Sequence, residues 1–258
     1  MDIDFECTKC GKCCYDLRLP LTVTEALAWL ERGNDVQILC DASPWPEEPP
    51  KQNLLAVHRR RRSFAAMSGS LPARVVVILA GAYAGPCPNL RPDMRCGIYE
   101  QRPLVCRIYP AEINPFIELT PMHKACPPDA WTPGSPPLLR SGKLVGAGIP
   151  PLTQQSRDID ASDVPIKQEV CRLLGIDRAA VWNEGFVAYS PDRVDLLAAL
   201  HQACGEPAMP TPLPTWHFVS NRRAAVEALF SVGALSSLVH ANSTMCFEYL
   251  GFSEPVQR

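Results

Sequence analysis

Four cysteines fall within eight residues, Cys7-Thr8-Lys9-Cys10-Gly11-Lys12-Cys13-Cys14, and four more follow at Cys87, Cys96, Cys106 and Cys126. Thiolates are soft ligands that favour zinc, copper(I) and iron–sulfur clusters. The gaps between the later four are too long for a local knuckle, so these thiols can meet only if the chain folds distant loops onto one another. This pattern constrains the fold more than any other feature of the 258 residues.

Ligand geometry refines the reading. A Cys-x2-Cys pair makes a tight turn that aims both sulfurs at one ion, and Gly11 after Cys10 suits such a turn because glycine tolerates positive φ. Cys7, Cys10 and Cys13 resemble the start of a bacterial ferredoxin run, although the continuation x3-Cys-Pro is absent. In an extended backbone the adjacent Cys13 and Cys14 side chains point to opposite sides. They are then expected either to bind two different metal atoms or to leave one of the two packed elsewhere, which argues against a lone zinc ion. Arg102 and Arg107 flank Cys106 and read either as donors that offset the negative charge of a thiolate-bound centre or as ordinary surface ion-pair residues.

Composition narrows the rest. A net charge of −2 gives no general attraction to nucleic acid or an anionic membrane. The start, Met1-Asp2-Ile3-Asp4-Phe5, lacks a basic apolar leader, and the longest apolar run, around Val75 to Gly85, is far below the ~20 residues of a membrane span. The expected location is the cytoplasm, where patterned thiols mean metal more often than disulfides. No nucleic-acid or membrane partner is expected.

The 27 prolines, about twice the usual ~5% share, predict many loops and short elements. Thr22 and Glu25 have capping-box spacing for a helix that Gly33 would stop. Val36–Cys40 and Arg74–Ala80 read as strands, Asp41–Gln52 as a loop, Asn53–Phe64 as ambiguous, and Glu112–Thr120 as a further strand. Prolines frame Arg102 to Pro110, which suits one short helical turn round Cys106. Residues 127–155 hold seven prolines and four glycines and mark a boundary. Beyond it, Ile166, Val170, Leu173 and Leu174, then Val194, Leu197 and Ala198 after Ser190-Pro191, then Val226, Leu229 and Phe230 recur at helical spacing. The expected fold is α+β: a metal-stabilised cysteine-rich module of short strands and helices at 1–128, a Pro/Gly-rich linker at 129–156, and a mainly helical region at 157–258 that could face a protein partner.

Phe5-x-Cys7-x2-Cys10-Gly11-x-Cys13-Cys14, followed by Cys96-x-Ile98-Tyr99-Glu100-x-Arg102-Pro103-x2-Cys106-Arg107-x-Tyr109-Pro110, resembles the YkgJ-like cysteine-cluster family over roughly residues 5–126. That family is described as zinc- or iron-chelating. The resemblance implies metal chelation and gives all eight cysteines a place; it implies no agreed reaction.

Other readings concern single residues. Cys40, Cys171, Cys204 and Cys246 are isolated and read as small core hydrophobes. His123, three residues before Cys126, is a supplementary ligand at most, and His58, His201, His217 and His240 lack metal-like spacing. Arg59-Arg60-Arg61-Arg62 reads as a solvated basic face. No Walker loop, Gly-x-Gly-x-x-Gly or Gly-x-Ser-x-Gly is present, so enzymatic activity is left open. The expectation is a metal ion or cluster, an iron–sulfur centre or zinc, on Cys7, Cys10, Cys13, Cys14, Cys87, Cys96, Cys106 and Cys126. The alternatives are a metalloenzyme modifying protein substrates, similar to flagellin lysine N-methylases, and a structural zinc docking module.

Overall fold

In a computed structural model of the chain, residues 1–205, 212–239 and 246–252 are described. The architecture is α+β, with the cysteine-rich part at the N-terminal side. In chain order the elements begin with β1 (Ile3–Asp4), β2 (Tyr15–Leu21), α1 (Val23–Glu31), β3 (Val36–Pro44), α2 (Leu54–Arg61), β4 (Ser63–Ser68) and β5 (Leu71–Pro86). There follow α3 (Leu104–Ile108), β6 (Pro137–Arg140), β7 (Lys143–Leu144), α4 (Ile149–Ser162), α5 (Val164–Leu173), β8 (Arg178–Val181) and β9 (Gly185–Tyr189). The last are α6 (Arg193–Gly205), β10 (His217–Ser220), α7 (Arg223–Ser231), β11 (Ser236–Leu238) and β12 (Glu248–Gly251).

The long strand β5 organises a nine-stranded mixed sheet of order β11-β10-β8-β3-β5-β2, with β9 and β12 joined at β3 and β4 at β5. Its β-branched centre explains this. Val75, Val77 and Leu79 point to one face and enter the main core with Ile38, Val170, Leu196 and Phe218, while Ile78 and Ala80 meet Leu39 and Ala188 on the other. Burial on both faces makes the run a central strand. Helix α1 starts where its capping box predicts: Thr22 accepts from the Glu25 amide and Glu25 accepts from the Thr22 amide. It lays Ala26, Trp29 and Leu30 on the sheet. Trp29 presses so closely on β5 that a Cβ at Gly81 would sit 2.8 Å from its ring, so only glycine fits there.

Several local expectations change. Asn53 caps α2 through the Ala56 amide at 3.1 Å, which makes most of the ambiguous 53–64 stretch helical before β4 begins. β3 runs on to Pro44, shortening the loop expected from Asp41. Residues 112–120 form turns and no strand; the Ile117 amide bonds back to Asn114 at 3.2 Å, and no partner strand lies alongside to complete a ladder. The arginine run is a solvated face only in part: Arg60 and Arg61 are exposed, whereas Arg59 turns inward. Arg59 is buried, ion-paired with Asp41, bonded to Ser43 at 2.7 Å and stacked 4.9 Å from the Trp182 ring. Arg60, Arg61 and Arg62 pair with Glu48, Asp158 and Asp160.

The C-terminal half keeps its helices, with α5 stopped before Gly175 (φ 65°) and α7 before Gly233 (φ 77°). Asp192, two residues after Ser190, bonds the Val194 amide at 2.7 Å at the start of α6. Between the helices lie β8 to β12, which the helical expectation omitted because strands of three to five residues are too short to display a period of two. β8 pairs parallel with β3, and β10 parallel with β8 and β11. The 129–156 stretch holds β6, β7 and the first turns of α4, and β6 pairs antiparallel with β1. Backbone ladders thus cross both expected boundaries. Among the described residues no helix is long and apolar enough to cross a membrane.

Candidate metal centre

Each cysteine loop is pinned by a different part of the fold. The Cys7–Cys14 loop hangs between β1 and β2. Upstream, β1 pairs with β6, the Phe5 and Glu6 amides bond Pro136 (3.0 Å) and Ala130 (2.9 Å), and the Phe5 and Trp131 rings pack at 4.8 Å. Downstream, Tyr15 pairs with Pro86 at the far end of β5, and the Cys87 amide donates to the Cys14 carbonyl at 2.7 Å. Antiparallel pairing of β2 with β5 therefore joins the first cysteine group to the second across more than seventy residues of sequence. Gly11 has φ 69°, and a Cβ there would lie 2.7 Å from the Met94 carbonyl. Lys9 (φ 53°), Asp16 (φ 52°) and Met94 (φ 64°) also occupy the left-handed region, a costly conformation for residues with a Cβ that tertiary packing must enforce.

The 87–97 loop closes on itself through Leu90 to Cys87 (2.8 Å), Arg91 to Arg95 (2.9 Å) and Gly97 to Asn89 (2.7 Å) backbone bonds, and Cys87 and Cys96 both line the same cavity. Cys106 sits on α3, the short turn framed by prolines. The α1 residue Glu25 holds that turn: one carboxylate oxygen accepts from the Thr22 amide at 2.9 Å and the other from Leu104, the first residue of α3, at 2.7 Å. Cys126 is fixed by the Ala125 amide, which donates to the Tyr109 hydroxyl at 2.8 Å.

The outcome is one cavity of about 840 Å³ lined by Cys7, Cys10, Cys13, Cys14, Cys87, Cys96, Cys106 and Cys126 together. Its other charged lining is entirely basic: Lys9, Lys12, Arg18, Arg91, Arg95, Arg102, Arg107 and Lys124. No aspartate or glutamate is among the described residues that line it. Arg102 stacks on Tyr99 with its guanidinium carbon 3.6 Å from the ring centre, and Lys9 lies 5.3 Å from the same ring.

Residues 6–127 match a family model named CxxCxxCC, described as a "putative zinc- or iron-chelating domain". This segment belongs to that family. No curated protein and no solved structure matches the chain.

Electrostatics in the CxxCxxCC domain distinguish the thiols. A hydrogen bond from Cys14 brings the Cys13 thiol down to about 7, helped by a backbone amide and the Arg102 charge and opposed by burial. Cys14 moves up for the reciprocal reason. Burial and neighbouring thiols push Cys106 up to about 12. Burial pushes Cys126 up to about 11, against a hydrogen bond from Tyr109. The Tyr83 hydroxyl is raised first by burial and then by Cys87, to which it is hydrogen-bonded.

Among the described residues no three Cys, His, Asp or Glu side chains converge at the spacing of a single-ion site. The thiols surround a volume rather than a point. The donor set suits a soft metal, since hard cations such as calcium and magnesium need oxygen ligands. The Cys14 amide bonds to the Gly11 carbonyl at 2.9 Å, so Cys13 and Cys14 lie in a turn, the alternation of extended backbone does not apply, and both thiols reach the same cavity. Cys40 and Cys171 are buried as expected, but Cys204 and Cys246 are exposed. His123 lines the cavity at an exposed position, while His58, His201 and His217 stand outside it; His240 lies outside the described residues. Sequence reasoning missed Tyr83 and Glu25 as parts of the site. Tyr83 sits four residues before Cys87 without any motif, and Glu25 was legible only as a helix cap.

Proposed function

We propose that the cavity binds a polynuclear soft-metal centre, an iron–sulfur centre in preference to zinc, on thiolates drawn from Cys7, Cys10, Cys13, Cys14, Cys87, Cys96, Cys106 and Cys126. The observation that carries this reading is eight thiols and eight basic side chains around one 840 Å³ cavity, with no carboxylate among the described residues lining it. A tetrahedral ion uses four thiolates, so eight exceed the needs of one zinc. Four thiolates on a divalent ion or a [4Fe–4S]2+ cluster leave a net charge of about −2, which nearby cations offset. Arg102 already acts electrostatically on Cys13 and Cys106. The Tyr83 and Tyr109 hydroxyls line the same cavity as Cys87 and Cys126, where a hydroxyl can tune a sulfur ligand. When bound, an iron–sulfur centre supplies one-electron exchange.

Anaerobic purification with elemental analysis and an absorption spectrum tests the reading. Iron and acid-labile sulfide with visible charge-transfer absorption are expected. A metal-free protein with eight freely titratable thiols overturns metal binding. One zinc per chain with four alkylatable cysteines at the site overturns the polynuclear reading and leaves the structural zinc module.

A further inference from the structure

A second cavity, of about 270 Å³, lies on the other side of Pro20 and Val105, which line both. It opens between α2, α4 and α5. Its charged lining is Arg61, Arg62, Arg157 and Lys167 against Glu25 and Asp160. The two carboxylates are already engaged: Glu25 holds the Thr22 and Leu104 amides, and Asp160 is shared by Arg62 at 2.9 Å and Lys167 at 2.7 Å. Arg61 pairs outward with Asp158 at 3.0 Å, both side chains more than half exposed. Asp163, behind the wall, accepts from the Val23 amide at 2.8 Å.

Arg157 is different. Among the described residues its one side-chain hydrogen bond is from Nε to the Ile113 carbonyl at 2.7 Å, and no carboxylate pairs with it. A guanidinium has five donors in a planar fork, so most of this group's capacity is unspent. Desolvation alone accounts for its depressed pKa. Across the cavity, His58 Nε2 is shut from solvent with no hydrogen-bond partner among the described residues. Buried nitrogens in that state usually have an ordered water or ligand as partner. Burial, then Arg62 and Arg157, hold the His58 ring below its ordinary pKa, with Asp160 opposing, which registers a positive local potential. The remaining wall is apolar, with Leu21, Ile78, Leu104 and Ile113.

We propose that this cavity binds a small organic anion, a carboxylate or phosphate head on a short apolar body, with the Arg157 guanidinium gripping the head. The planar fork matches either head bidentately. The volume stands near the lower end, about 300 Å³, of small-molecule sites, larger than a bare ion requires. The site does not depend on the metal centre for its chemistry.

Calorimetric titration of the full chain as purified tests it, with benzoate, phenyl phosphate and inorganic phosphate as probes. Benzyl alcohol and potassium chloride at matched ionic strength are the controls, and metal content is recorded alongside. Saturable binding of benzoate or phenyl phosphate, absent for benzyl alcohol, is expected. Arg157→Gln should weaken it roughly tenfold or more with unchanged metal content, and Arg157→Lys should recover part of the loss. Arg61→Gln, at an exposed ion pair, should weaken it less. No saturable signal beyond the controls overturns the site. So does binding undiminished in both Arg157→Gln and Arg61→Gln. Binding of inorganic phosphate as tight as that of phenyl phosphate overturns the apolar body.

Discussion

Around β5, Ile38, Val75, Leu79 and Val187 are completely withdrawn from solvent, and nine strands satisfy one another's backbone groups. Around the thiols, the buried apolar set is small: Ile3, Leu104, Ile108, Ala111, Leu119, Leu138 and Leu139. Single-turn backbone bonds do most of the work there, and three residues with side chains occupy left-handed φ at Lys9, Asp16 and Met94. The sheet is stabilised by burial of apolar area, an interaction that needs no ligand. The loops meet round a cavity lined by thiols, basic side chains and apolar groups such as Trp29 and Ile98, and like charges there repel where no opposite charge lies between them. One region is held by exclusion of water; the other gathers its thiols through short backbone bonds and a small apolar cluster.

The largest effect should come from metal removal. Structural metal sites contribute roughly 10 kcal/mol to the elements they close, so stripping the loaded protein with a chelator should release amide protection in residues 87–126 while β3 and β5 stay protected. Hydrogen exchange read by mass spectrometry checks this; simultaneous loss across the sheet would erase the distinction between the two regions. Next is Phe218→Ala, which empties a fully buried position in the sheet core. It should cost about 3–5 kcal/mol in denaturant unfolding and leave the metal content per folded chain unchanged.

Glu25→Gln probes the seam between the regions. A glutamine has one acceptor oxygen where Glu25 serves two amides, so a loss of about 1–3 kcal/mol is expected, with weaker metal retention because the α3 turn bearing Cys106 loses its tether. Equal metal retention would show that α3 is held by its prolines alone. The smallest effect concerns pH. Cys106, pushed up to about 12, and Cys126, to about 11, carry protons at neutral pH before metal arrives. Metal binding must displace those protons, so apparent affinity should fall as pH is lowered, by about tenfold per unit for each proton released. Calorimetry in buffers of different ionisation enthalpy counts the protons.

Legibility followed the range of the interactions. The capping box of α1, the positive φ of Gly11 and the helical turn between Pro103 and Pro110 depend on neighbours a few residues away, and all were readable. The expected strand at 112–120 failed because a strand requires a partner, and none lies beside it. Arg59 was misread because its buried partner Asp41 is eighteen residues upstream, out of reach of any reading of charge runs. The strands β8 to β12 were too short to announce themselves and are strands because β3 offers an edge.

The sequence by itself determined the chemistry of this protein: soft thiol donors, glycine where a turn needs it, and an apolar run suited to a central strand. These are properties of side chains and local backbone. Tertiary structure alone decided that all eight thiols share one cavity, since β2–β5 pairing brings Cys14 to Cys87 and β1–β6 pairing holds the Cys7 loop from the Pro/Gly-rich 129–156 stretch. It also decided that no carboxylate among the described residues lines that cavity. Convergence across a hundred residues depends on long-range pairing, and no local pattern encodes it.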